Sequence, residues 1–385
     1  MRGGNADDLS SENSLNHLKF FTLSFQTLFS QAHSTMSLIP RKTLGTSNLQ
    51  VSIICLGTMT FGEQNNEAQA HQQLDYAFER GINFVDTAEM YPVMPRAATQ
   101  GRTEEFIGSW LKKSGKRQDL ILATKAAGPS RNLTWIRDGQ NDFDARNIRL
   151  AIEGSLRRLQ TDYIDLYQLH WPSRNVPIFG QTQFEPNAER ASTPIAETLG
   201  VLHDLVKEGK IRAIGVSNES SWGVCEFTKQ AALTGTPRIA SIQNAYSLLN
   251  RSFEQGLDET CFRENVGLLA YSPLAFGQLS GKYIYNPHAS GRLTIFPPTW
   301  SPRYMREVVF AATRRYVELA RANGLTPSQM ALAWCYSRWF IASTIIGATD
   351  LTQLKENIDA ISISLNDELM QEIDMIHADV GNPGQ

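Results

Sequence analysis

At 385 residues with 42% apolar content, the chain is long enough to bury one large core and exceeds the roughly 250 residues that eight strand-helix units need. A net charge of −3 provides no basic field for nucleic acid or an acidic membrane surface, and no run of about 18 apolar residues is available to span a bilayer. The four cysteines, Cys55, Cys225, Cys261 and Cys335, are scattered without CxxC spacing, which argues against a disulfide framework or a metal site and for a reduced, cytoplasmic protein.

Residues 1–35 differ from the rest. They are rich in Ser, Asn and Gln around one apolar patch, Phe20 to Phe29, and the acids Asp7, Asp8 and Glu12 argue against a transit peptide. The patch is too short and interrupted for a secretory core, so 1–35 is expected to be a disordered extension, with the folded domain at 36–385. Leu44 to Val51 then predicts a hairpin closing one end of a barrel, and Ile53 to Leu56 a first strand running into the turn Gly57-Thr58-Met59. Glu67 to Arg80 has helical spacing through Ala70, Leu74, Ala77 and Phe78, with Gly81 as a stop. Ile82 to Val85 is a short apolar run without helical period, read as a buried strand that ends on Asp86.

The pattern repeats. Thr103 to Lys113 is helical, and Leu120 to Thr124 is a strand ending on Lys125. Asp144 caps a helix to Leu159 with Leu150, Leu156 and Leu159 among its apolar positions, and Ile164 to Leu169 is a strand ending on His170. Helix Pro194 to Glu208 precedes strand Ile211 to Val216. Strands Ile239 to Gln243, Val266 to Tyr271 and Thr344 to Ile346 complete a count of eight, with helices Arg306 to Asn323 and Pro327 to Arg338 before the last. Eight strands alternating with helices predict a closed parallel (β/α)8 TIM barrel. Three connections, Gly128 to Asn141, Trp171 to Thr193 and Ser272 to Arg303, exceed what joining two elements requires; all follow strand C-termini and so border the rim where such barrels place chemistry.

On that rim Asp86, Tyr91, Lys125 and His170 converge. Singly, a strand-end lysine is an ordinary solvated charge, a histidine an ordinary structural one, and Tyr91 an ordinary loop aromatic; their joint placement after successive strands is what points to catalysis. With the segments GTMTFGEQ, DTAEMYPV, RLQTDYIDLYQLHWP and IQNAYSLLNRSFE, the run from about Leu38 to Asn382 resembles the aldo-keto reductases and, within them, the bacterial Tas-type branch. The resemblance implies an NADP(H)-dependent reduction of aldehydes or ketones with Asp86, Tyr91, Lys125 and His170 as the tetrad. Pro92 stands where many members have Gly. Glu89, also near the rim, reads as a bystander.

The chemistry is sensible on its own terms. A free tyrosine, with a pKa of about 10, is a reluctant acid at neutral pH. An ammonium about 4 Å away at an effective dielectric of about 20 contributes roughly 4 kcal/mol toward the phenolate, enough to bring Tyr91 well down. Lys125 is the candidate, kept charged by Asp86, while neutral His170 orients the carbonyl oxygen by donating a hydrogen bond.

The turn Gly57-Thr58-Met59 is a cofactor candidate by resemblance, but it lacks the G-x-G-x-x-G spacing, so no Rossmann fingerprint is present. By resemblance, Ser217, Asn218 and Gln243 bond the nicotinamide carboxamide, Tyr271 stacks on its ring, and Ser272, Leu274, Ala275 and Gly277 line the pyrophosphate path. Lys282 and Arg292 take the 2′-phosphate, and Gly347, Thr349, Gln353, Glu356 and Asn357 form the adenosine-phosphate site at a helix start. The GVSN and SGKY segments also resemble potassium-channel β-subunits, which implies an alternative role as an NADP-binding regulatory or interaction protein.

Overall fold

The computed structural model describes Met1 and residues 39–129 and 132–385, so the expectation for residues 1–35 lies outside the described residues. A two-stranded antiparallel hairpin, β1 (Arg41–Thr43) and β2 (Gln50–Ser52), precedes the barrel; it begins three residues before the predicted Leu44 to Val51 and ends one residue after it. Eight parallel strands then close on themselves: β3 (Ile54–Gly57), β4 (Phe84–Asp86), β5 (Ile121–Ala126), β6 (Ile164–Leu169), β7 (Ile211–Ser217), β8 (Ile239–Ala245), β9 (Gly267–Tyr271) and β10 (Ile341–Ile346), with β10 pairing to both β9 and β3.

Helices α1 (Glu67–Glu79), α2 (Arg102–Ser114), α3 (Ala145–Leu159), α4 (Ile195–Lys207), α5 (Ser221–Thr234) and α6 (Leu257–Glu264) join successive strands from β3 to β9. Local signals set their ends. Asn66 and Gln69 form a reciprocal capping box on α1, and the Asp144 side chain accepts from Asn147 N at the start of α3, as the sequence predicts. Leu150, counted among the apolar positions of α3, is 50% exposed, because it lies off the stripe made by Ile148, Ile152, Leu156 and Leu159. Helices α7 (Glu307–Ala322) and α8 (Pro327–Tyr336) lie between β9 and β10, and α9 (Leu351–Asp359) and α10 (Asp367–Val380) follow β10.

The strand period places the site. Side chains two apart along a strand share a face. Phe84, Ala123, Leu166, Ala213 and Leu269 fill the barrel interior with Leu44 and Val51 of the hairpin region beneath them. The next inward positions toward the strand C-termini are Asp86, Lys125, Gln168, Gly215 and Tyr271, so the apolar filling gives way to a polar layer at one end. The long rim connections carry short turns of helix, including Ala275–Ser280, Lys282–Tyr285 and Arg292–Ile295.

Candidate active site

Lys125 is fully buried, and its Nζ donates to Asp86 Oδ2 at 2.6 Å and to Thr87 O at 2.7 Å. The same ammonium lies 5.0 Å from the centre of the Tyr91 ring. His170 stands edge-on to Tyr91, ring centroids 5.7 Å apart, and packs on Trp171 at 4.8 Å. All four residues of the expected tetrad therefore meet in one place. The Tyr91-Pro92 peptide is cis.

Burial works against the Lys125 charge, but Asp86 and Tyr91 more than offset it and hold the ammonium above the ordinary lysine range. Tyr91 departs from the sequence expectation. Burial raises it above 10, and the opposing pull of Lys125 and of Arg292 does not overcome the desolvation of a phenolate in an apolar surround, to which Asp86 adds its own repulsion. Ala88, Met90, Ala127, Leu133, Ile136 and Trp171 make up that surround, with Phe179 packed against it.

Three features of the site escape sequence reading. Asp86 Oδ1 accepts from Gln168 Nε2 at 3.0 Å and from Gln243 Nε2 at 2.9 Å. Glu89 is buried and takes a bidentate fork from Arg137, Oε2 from Nη1 at 2.7 Å and Oε1 from Nη2 at 2.9 Å, while Ala127 N donates to Oε1 at 2.5 Å. The expected bystander thus fastens the first long rim loop to the strand that carries Lys125. Arg174 makes the equivalent fork to Glu219, tying the loop after β6 to the one after β7. The inward parity of Gln168, two residues before His170, is the one signal in the sequence that points to any of these partners.

The cofactor candidates are brought around the same rim. Gly57 pairs in register with Asp86, and a Cβ there would meet Ile345 Cγ2 at 2.7 Å. Thr58 Oγ1 donates to Asp86 O at 2.8 Å, and Met59 O accepts from Val93 N at 2.9 Å. Ser217 Oγ donates to Gln243 O at 2.7 Å, Asn218 Nδ2 to His170 O at 2.9 Å, and the Tyr271 hydroxyl to Asn218 Oδ1 at 2.7 Å. Asn218, Ser272, Ala275 and Phe276 are non-glycine residues at positive φ, as is Gly277 among the glycines; such strain concentrates at ligand sites. Leu274 O accepts from Gly277 N at 2.9 Å within that turn.

Lys282 and Arg292 lie close enough to interact, and neither forms an ion pair with a carboxylate among the described residues. Burial, then the Arg292 charge, lowers Lys282, with Asp350 opposing. Burial likewise lowers Arg292, whose guanidinium sits 4.5 Å over the Phe276 ring, while Tyr91, Tyr304 and Tyr283 act the other way. At the start of α9 the expected free backbone donors are partly taken. Asp350 caps Gln353 N at 2.9 Å, and Gln353 Oε1 accepts from Thr349 N at 3.2 Å. Glu356 accepts from Thr326 at 2.6 Å, and Asn357 Nδ2 donates to Gly347 O at 3.1 Å. No group of three or more His, Cys, Asp or Glu is placed to hold a metal ion among the described residues, and no described helix is long and apolar enough to cross a membrane.

A model of the aldo/keto reductase family matches residues 53–378. Protein tas of Escherichia coli (strain K12) is 50% identical over 333 residues, covering 86% of this chain and 95% of the relative. An aldo-keto reductase of Babesia bovis is 41% identical over 274 residues, 67% of this chain and 95% of the relative. The NADH-specific methylglyoxal reductase of Escherichia coli (strain K12) is 31% identical over 350 residues, 86% of this chain and 97% of the relative.

Proposed function

The chain belongs to the aldo/keto reductase family, a family of nicotinamide-dependent oxidoreductases, and from that premise we propose that it reduces aldehydes or ketones to alcohols with NADPH, Tyr91 acting as general acid. The observation that carries the reading is the Lys125 ammonium bonded to Asp86 on one side and facing the Tyr91 ring on the other, with His170 edge-on to that ring.

In this reading His170 orients the substrate's carbonyl oxygen, and Tyr91 delivers its hydroxyl proton to that oxygen as negative charge develops there. Lys125 stabilises the phenolate left on Tyr91, and Asp86 keeps Lys125 charged against the cost of burial. The apolar wall of Met90, Trp171 and Phe179 excludes water from the proton transfer. When bound, the nicotinamide cofactor supplies the hydride. Among the described residues Gln243 Oε1 has no hydrogen-bond donor, so the polar end of the site retains an acceptor suited to a carboxamide, with Ser217 and Asn218 beside it. Lys282 and Arg292, two half-buried cations that form no ion pair among the described residues, suit a phosphate; this supports NADP(H) over NAD(H). Asp350 near Lys282 is an acid of the kind that suits a ribose hydroxyl instead, which makes cofactor choice the measurement to take first.

The test is steady-state consumption of NADPH and of NADH with a panel of small aldehydes. Turnover with NADPH preferred is the expected result. Tight NADPH binding without turnover of any carbonyl would favour a cofactor-bound regulatory role over catalysis, and turnover with NADH alone would overturn the cofactor assignment. We take the setting to be the cytoplasm, in keeping with four free cysteines, of which Cys55, Cys261 and Cys335 are buried.

A further inference from the structure

The proposed chemistry leaves Gln168 without a role, yet it sits fully buried in the polar layer beside Asp86 and Lys125. It is fully buried on β6, in register with Lys125 of β5 on one side and Gly215 of β7 on the other. A Cβ on Gly215 would meet Gln168 Cγ at 3.0 Å and Ser241 Oγ at 2.5 Å, so the neighbouring strand has no side chain where the glutamine stem runs. Gln168 Nε2 donates to Asp86 Oδ1 at 3.0 Å, and its Oε1 accepts from Gln243 Nε2 at 3.1 Å.

We propose that Gln168 is a positioning residue that holds the Asp86 carboxylate and the Gln243 carboxamide in register, and through them governs proton transfer at Tyr91. The inference rests on the carbonyl-reduction reading above. A carboxylate oxygen only accepts, so both amides turn an N–H toward Asp86 Oδ1. The carbonyl end of Gln168 then takes the second N–H of Gln243, which leaves Gln243 Oε1 as the atom turned toward the carboxamide site. Without Gln168 the Gln243 amide keeps only its bond to Asp86, and Asp86 loses one of two donors on Oδ1. The uncompensated carboxylate then cancels more of the Lys125 field, and the phenolate of Tyr91 becomes harder to form.

The other groups around this cluster do not replace the lost donor. Cys55 on β3 and Lys125 on β5 face Asp86; Lys125, Asp86 and Arg292 of the loop after β9 face Tyr91, with Tyr271 of β9 and His170 after β6 close by. Lys125 already donates to Oδ2, and none of the rest bonds to Oδ1.

The experiment compares the full chain with Gln168→Met, an apolar side chain of similar length. Ionisation of Tyr91 is read directly, as the ultraviolet difference between each protein and its Tyr91→Phe counterpart, alongside the pH profile of alcohol oxidation, in which Tyr91 acts as base. Gln168→Met is expected to move both alkaline by about half to one pH unit and to lower kcat roughly tenfold, with the NADPH Kd changed by less than about threefold. Gln168→Glu supplies the second arm: a carboxylic acid donates to Asp86 only while protonated, so its activity relative to wild type should fall as pH rises. Tyr91 ionisation unmoved in Gln168→Met overturns the proposal. Should that variant not fold, a Gln168→Glu activity ratio independent of pH overturns it equally. A wild type without turnover would sink the carbonyl-reduction reading, and the ultraviolet titration would still decide whether Gln168 acts on Tyr91.

Discussion

Removing the Lys125 ammonium is the sharpest perturbation of the site. Its Nζ lies 5.0 Å from the Tyr91 ring centre, which at an effective dielectric of about 20 corresponds to roughly 3 kcal/mol in favour of the phenolate. Asp86, 2.6 Å from the same nitrogen, cancels part of this. If about half survives, electrostatics alone accounts for roughly tenfold in rate, and losing the bonded chain that positions the acid takes the expected fall in kcat for Lys125→Met to about 100-fold. The substitution also strands a buried carboxylate, which costs about 3–5 kcal/mol of stability. The control is therefore Lys125→Met with Asp86→Asn, which should recover most of the stability and none of the activity. Because the folded Lys125 sits above its ordinary 10.5, its contribution to stability is fully present below that value and is lost only as pH rises through the higher folded one. Urea unfolding of the wild type should thus keep the Lys125 contribution across neutral pH and lose it only in strong alkali. A folded Lys125→Met with kcat within about threefold of wild type would refute the role given to the ion pair.

Other substitutions probe the remaining assignments. Tyr91→Phe should cut turnover by about 100-fold or more with NADPH affinity nearly unchanged; retained activity would remove Tyr91 from the mechanism. Arg292→Ala should weaken NADPH binding by about tenfold to a hundredfold and leave NADH almost unaffected, measured as paired dissociation constants by fluorescence quenching. Equal loss for both cofactors would place the guanidinium on shared pyrophosphate, and a raised carbonyl KM alone would place it on substrate, a contrast that matters because Tyr91 already feels its charge. Arg137→Leu strands the buried Glu89 carboxylate and should destabilise the fold by about 3 kcal/mol in urea titration; Arg137→Leu with Glu89→Gln should regain most of it, and a single variant as stable as wild type would count against the anchoring role.

What the sequence by itself determined is local or periodic. The eight apolar runs, the Asp144 cap and the strand-end positions of Asp86, Lys125 and His170 follow from hydrophobic period and from the rule that a strand's C-terminal tip faces the rim, and the barrel has them within a few residues of where the pattern puts them. The cofactor candidates rested on family-specific segments alone, since no spacing rule would single them out. The tertiary structure alone decided who meets whom across strands far apart in the chain. Gln168 and Gln243 come from different strands to one oxygen of Asp86, and Arg137 reaches back to Glu89; a pairing of this kind depends on barrel closure and loop path, which leave no period in the sequence. It also decided the sign of the Tyr91 shift. From composition the lysine charge is visible and the apolar surround is not, and burial of a phenolate among Met90, Trp171 and their neighbours outweighs one ammonium already shared with Asp86.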